Sequence, residues 1–149
     1  MRSLFEAEAH QDILDRLHTL TPESTGKWGT MDVAQMLKHV NTTMKIATGE
    51  VALVSPPWYK KAMFSLFRSM LYNDRPWKQN LPTAPELKIA GTEDFEKEKK
   101  ALLDSIGKFM ALPFSGGKME HPIFGIFTKE QWGKMQYKHL DHHLRQFGA

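Results

Sequence analysis

Apolar residues recur along most of this chain at intervals of three and four, the spacing of one face of an α-helix, and no stretch alternates with polar residues for long. Ser3 and Glu6 form a capping-box pair, and Ile13, Leu14, Leu17 and Leu20 follow at helical spacing, which predicts a first helix over about residues 4–20. The run Thr21-Pro22-Glu23-Ser24-Thr25-Gly26 breaks it. A second helix, capped at Thr30 or Asp32, carries the stripe Val33, Met36, Leu37, Val40, Met44 and Ala47 and ends at Gly49. Ser55-Pro56-Pro57 introduces a third with Trp58, Met63, Phe64, Phe67, Met70 and Leu71. Residues 75–91 hold three prolines and little periodicity, so they read as a long surface connection of the kind that borders sites.

Thr92 and the acids Glu93, Asp94 and Glu96 open a fourth helix through Phe95, Leu102, Leu103, Ile106 and Phe109, the acids suiting the positive end of its dipole. Pro113 and Gly116-Gly117 close it, and Glu93 to Lys100 reads as a solvated face. The last helix begins at Thr128 and Gln131, a second capping box, with Phe127 placed to staple onto Trp132, and runs to about Phe147. A brief extended piece fits around His121 to Phe127. The aggregate is an all-α fold in a single domain over residues 1–149, with the tryptophans, phenylalanines and methionines read as core and a share of them lining an apolar pocket.

Composition narrows the function more than the fold. Length, 41% hydrophobic and 25% charged residues fit one globular domain, and a net charge of +3 is too small to nominate nucleic acid. Glu6 and Glu8 stand where a signal peptide would be apolar, and no apolar run approaches the roughly 18 residues of a membrane span, so the expected compartment is the cytoplasm, with no membrane partner. The chain has no cysteine and seven histidines, four of them in the last 29 residues. Any metal chemistry therefore falls to imidazoles and carboxylates.

On the last helix, with Trp132 at zero, His139 lies at about −20° and His143 at about +20°, between Met135 and Leu140 on the inward stripe. Lys138 and Asp141 fall on the far face and His142 about 80° to the side. Residues four apart stand about 5–6 Å from one another, so His139 and His143 can reach one ion. His39, on the flank of the second helix beside Gln35 and Thr43, is the best third ligand. Two readings stand: a three-histidine site for a divalent metal, or hydrogen-bonded core histidines with His39 on a solvated rim. His10, His18 and His142 read as ordinary. His121, in Glu120-His121-Pro122, either hangs over a site as acid/base group or ligand, or fixes its loop by hydrogen bonds.

The C-terminal third carries His121-Pro122-Ile123-Phe124-Gly125, then Thr128 and Trp132, then His139 to Phe147 as H-x-x-x-H-L-R-Q-F. These motifs, with Trp28 and the run Met31 to His39, resemble the DinB-like superfamily of metal-binding helical bundles, in a branch with H-P-x-F-G, T-x-x-x-W and H-x-x-x-H-L-R-Q-F. The resemblance implies a four-helix bundle with an extra short helix or long loop in the middle. It also implies a divalent ion, Zn or Ni with Fe as the alternative, on His39, His139 and His143. In the wider superfamily R-G-Q often follows the second paired histidine; here Leu144-Arg145-Gln146 stands in its place. His121 and Gln146 are then the candidates for contacting the ligands or the substrate. The implied activity is metal-dependent transfer to a low-molecular-weight thiol or a related hydrolysis on a small-molecule substrate. The alternative is a non-catalytic metal- or ligand-binding bundle with a structural or stress-response role. A homodimer is expected from the aromatic and methionine-rich segment around Phe64 and Phe67.

Overall fold

The computed structural model describes residues 1–84 and 87–149; Pro85 and Glu86, within the expected 75–91 connection, lie outside the described residues. Five α-helices follow one another: α1 (Ala7–Thr19), α2 (Val33–Ala47), α3 (Trp58–Ser65), α4 (Phe95–Met110) and α5 (Lys129–Gln146). A 3-10 turn over Arg68–Leu71 follows α3. Between α4 and α5 the chain makes a small antiparallel hairpin, β1 (Lys118–His121) with β2 (Gly125–Thr128), in the register Lys118↔Thr128 to His121↔Gly125.

The expectation of an all-α four-helix bundle is therefore corrected: there are five α-helices and a two-stranded sheet among the described residues. Each strand has four residues, only two of the eight being buried, so no alternation long enough to read as β-structure develops along the chain. Pairing across the three-residue loop Pro122 to Phe124 makes these segments strands, not their local pattern.

The starts of the helices follow local chemistry. Asp32 and Gln35 make a full capping box for α2, as Thr128 and Gln131 do for α5. Asp94, two residues past the expected Thr92, caps α4 by accepting from Lys97 N at 2.7 Å. The Ser3–Glu6 pair is spent on a turn instead, Ser3 N donating to Glu6 Oε1 at 3.1 Å, so α1 begins at Ala7 and not near residue 4.

One core joins these elements. Ile13 and Leu17 of α1, Met36, Leu37, Val40 and Met44 of α2, Leu102, Ile106 and Phe109 of α4, and Trp132, Leu140 and Leu144 of α5 are all buried. The heaviest packing is α2 against α4, and α5 lies against α1, α2 and β2. Phe127 and Trp132 staple the hairpin to α5, their ring centroids 5.7 Å apart and both fully buried. Burial of rings of this size contributes about 1.5–3 kcal/mol each. The expected core role fails for α3, whose Trp58, Tyr59 and Met63 are exposed, as is Leu66 just after it. Its eight residues turn Phe64 toward Phe124 and leave the opposite face bare. Among the described residues no helix is long and apolar enough to cross a membrane.

The N-terminal segment reaches the core through Gly133. Leu4 N donates to Gly133 O at 3.0 Å, and a methyl group at Gly133 would run into Ser3 Oγ and the Phe5 ring. Gly133→Ala should lower stability by about 1–3 kcal/mol, the usual cost of overpacking, in spite of alanine's better helix propensity. Urea unfolding measures it, and an unchanged or raised midpoint would mean that residues 3–5 are not packed in this way.

Candidate metal centre

The facing sides of α2 and α5 place His39, His139 and His143 together. All three side chains are buried, and their ring centroids form a near-equilateral triangle with sides of 5.1, 4.9 and 4.8 Å. One ring nitrogen from each lies within 4.8 Å of the others, so this buried group could hold a metal ion. The helical spacing accounts for His139 and His143, and α2 packed on α5 brings His39 across, deeper than the rim position its flank suggests.

What each Nδ1 touches decides the tautomers. His39 Nδ1 is 2.9 Å from Leu87 O, a backbone carbonyl that can only accept, so Nδ1 carries the proton. Thr43 Oγ1 donates its single proton to Val40 O at 2.8 Å and is left to accept from His139 Nδ1 at 3.0 Å. Gln146 Nε2 donates to Trp28 O at 2.7 Å, which turns Oε1 toward His143 Nδ1, 2.8 Å away, as an acceptor. His39 and His143 are thereby Nδ1–H tautomers, and so is His139 when the Thr43 proton lies on Val40 O, which leaves a bare lone pair on each Nε2. His39 Nε2 and His139 Nε2 are 3.2 Å apart. Four tetrahedral ligands at ordinary zinc–nitrogen distances stand about 3.3 Å from one another.

Burial keeps these imidazoles neutral. It drives His139 far below its ordinary range, helped by the other histidines, and pushes His143 down to about 3. It lowers His39 as well, the Leu87 carbonyl partly opposing it. Neutral imidazole is the form a metal requires, so protons compete little for these nitrogens near pH 7.

The residues around the cluster are held closely. Gly29, at φ +83°, lies against Gln146, and a Cβ there would come within 2.5 Å of Gln146 Nε2. Only glycine lets the 26–30 segment bring the Trp28 carbonyl this close. On the other side Lys138, expected on the far face of α5, is buried. Its ammonium donates to Met70 O at 2.7 Å, Asn73 O at 3.1 Å and Asn73 Oδ1 at 2.8 Å, tying the 3-10 turn to α5, and burial lowers its pKa to about 8. Beyond that turn Trp77 Nε1 donates to Met70 O at 2.9 Å, and the indole sits 5.6 Å from His139 and 5.8 Å from His142.

The three histidines open onto a cavity of about 790 Å³, a size that suits a small molecule. Trp28, Trp77, Met70, Leu87 and Trp132 give it an apolar wall, and Lys88 adds a cation. Among the described residues lining it there is no carboxylate. His142 lines it too, half-buried and 5.1 Å from His143, although its side position on α5 reads as ordinary in the sequence. Gln136, one turn before His139, also belongs to the wall.

His121 is buried at the hairpin loop and also borders the cavity. Its Nδ1 accepts from Ile123 N at 3.1 Å and Phe124 N at 3.4 Å, and its ring stacks on Trp132 at 5.2 Å. These contacts fix the loop, and His121 stands apart from the three-histidine group. His10 and His18 lie on α1, outside both.

Fold and site define a mostly helical protein with a buried three-histidine group lining a cavity of about 790 Å³. A family model described as "Protein of unknown function (DUF1569)" matches residues 2–149, and the chain belongs to that family. No curated protein and no solved structure matches it.

Burial, and to a lesser degree Lys61, pushes the pKa of His121 down to about 4, against about 6.5 in the unfolded chain. Above pH 6.5 both states are neutral and this residue's contribution is fully present. Below it the unfolded chain takes up a proton that the folded one refuses, so stability falls by about 1.4 kcal/mol per pH unit until pH nears 4. In chelator, urea unfolding between pH 7 and 4.5 should show His121→Asn, which keeps an acceptor for the loop amides, with a pH slope shallower by that amount. Parallel slopes for the two proteins would contradict the burial of a neutral ring.

Proposed function

We propose that the chain is a divalent-metal protein in which His39, His139 and His143 coordinate one cation through Nε2, and that the cavity above them takes a small-molecule substrate. The observation that carries this reading is the meeting of His39 Nε2 and His139 Nε2 at 3.2 Å when both protons are committed to Nδ1. Two lone pairs at that distance repel unless a cation stands between them. Three neutral nitrogen donors of borderline softness suit Zn²⁺ or Ni²⁺, with Fe²⁺ as the alternative. Such a cation, when bound, would act as a Lewis acid and bring the pKa of a water or thiol in its open position toward neutrality.

The chain's own residues do the rest. Leu87 O, Thr43 and Gln146 keep the rings aimed, the function that outer hydrogen-bond partners serve in histidine sites. Trp28 and Trp77 limit water, and the absence of a carboxylate among the described lining residues favours an electron-rich or anionic substrate. The reaction class that fits is thiol transfer or a related hydrolysis, in keeping with the DinB-like resemblance of the motifs. With no cysteine in the chain, any sulfur arrives with the substrate.

Protein purified without a nickel column and analysed by elemental mass spectrometry should hold about one divalent ion per chain, and His139→Ala with His143→Ala should hold almost none. Full metal content in that double variant would overturn the assignment. Thr43→Val leaves His139 Nδ1–H without its acceptor and should weaken zinc affinity by about 10–100-fold, measured by competition with a chromogenic chelator. Unchanged affinity would mean that Thr43 does not orient the ring.

A further inference from the structure

Two glutamines of α5 belong to the cavity wall, and they differ in one respect. Gln146 has both ends of its carboxamide engaged, one by His143 and the other by Trp28 O. Gln136 is buried, and its Oε1 has no hydrogen-bond partner among the described residues. It is the single buried side-chain polar atom among them in that condition. An orphaned buried acceptor costs stability, and its retention on a cavity wall calls for a reason outside the fold.

The position of Gln136 supplies one. It precedes His139 by three residues and His143 by seven, so on a helix it shares their face, one turn nearer the N-terminus. The Cβ atoms of Gln136 and His139 stand about 5–6 Å apart at this spacing, so a ligand that reaches the histidines and extends along α5 comes to the Gln136 side chain. No hydrogen bond anchors the oxygen, and the terminal torsion of glutamine is soft, so turning it onto a ligand costs little. A hydrogen bond made there breaks none that the oxygen makes within the described protein.

We infer that Gln136 is a substrate-binding residue, its Oε1 accepting a hydrogen bond from an N–H or O–H donor on a small molecule whose other end is directed at the three histidines. This deepens the metal reading above and rests on it. The substrate class is thereby narrowed to compact molecules that carry an electron-rich, metal-directed group at one end and a neutral hydrogen-bond donor a few bonds away. Trp132 and Met135 lie beside this path and suit an apolar linker between the two groups.

The test uses two thiols of nearly the same shape, N-acetylcysteamine, whose amide N–H can donate, and 2-mercaptoethyl acetate, whose ester oxygen cannot. Calorimetry on the full-length, cobalt-loaded protein should show the amide binding about ten-fold tighter than the ester, one neutral hydrogen bond's worth. In Gln136→Met, which keeps volume and helix propensity, the two should bind alike. The same variant should melt a few degrees higher without ligand, because an unpartnered acceptor has gone. Equal binding of the two thiols to the native protein, a preference that survives in Gln136→Met, or a lower melting temperature of that variant would each overturn the inference. If the protein takes up no cobalt, the metal reading falls by itself. The amide/ester comparison on metal-free protein then decides on Gln136 by the same criteria.

Discussion

Three hydrogen-bond partners orient the imidazoles of the histidine cluster in this protein. The Leu87 carbonyl, the Thr43 hydroxyl already committed to Val40 O, and the Gln146 oxygen turned by Trp28 O each take a proton from an Nδ1. Once those three protons are placed, the Nε2 lone pairs of His39 and His139 stand 3.2 Å apart in a buried space, with the His143 ring beside them. Under the metal proposal, a cation between them would relieve their repulsion. A cluster of core histidines held for packing alone would instead alternate donors and acceptors within the group.

The rest of the structure can be understood by how it supplies those acceptors. The segment between α1 and α2 delivers Trp28 O, which needs Gly29 in a left-handed conformation and a close approach to Gln146. The long segment between the 3-10 turn and α4 crosses the site and delivers Leu87 O, while Trp77 covers the imidazoles. Lys138 holds the beginning of that segment to α5 by three hydrogen bonds. Thr43 comes from α2 itself, one turn after His39. The hairpin makes the remaining wall, with His121 stacked on Trp132 and spent on its own loop. The orientation of the three imidazoles is thus a property of three separate backbone segments meeting α5.

Much of this was legible in the sequence, and the limits were physical ones. Periodicities long enough to average over exceptions, those of α2, α4 and α5, correspond to helices; the Thr128–Gln131 capping box marks the start of α5, and of the two caps offered for α2, Thr30 or Asp32, the structure uses Asp32. The spacing of His139 and His143 and the amphipathic flank holding His39 pointed at the three residues the structure brings together. An extended piece around His121 to Phe127 was legible, but its pairing into a hairpin was not, because four-residue strands carry too little pattern. Lys138 was misplaced because its angle on the helix wheel says where the side chain starts, not that a neighbouring turn offers three oxygens to its ammonium. The exposed face of α3 was read as core since a stripe's composition does not reveal whether another element covers it. One of the three Nδ1 acceptors is the Leu87 carbonyl and the other two, Thr43 and Gln146, are oriented by the Val40 and Trp28 carbonyls; every residue has a carbonyl, so no residue type announces these partners. Gln136 escaped for a related reason: what sets it apart is a missing partner.

Nitrogen NMR reads the tautomers of the three rings directly. Long-range proton–nitrogen correlation on uniformly labelled, zinc-loaded protein should show Nδ1 protonated in His39, His139 and His143, with each Nε2 resonance in the metal-ligated range and restored by chelation. A proton on Nε2 of any one of the three in that spectrum, or an Nε2 signal indifferent to zinc, would contradict the account.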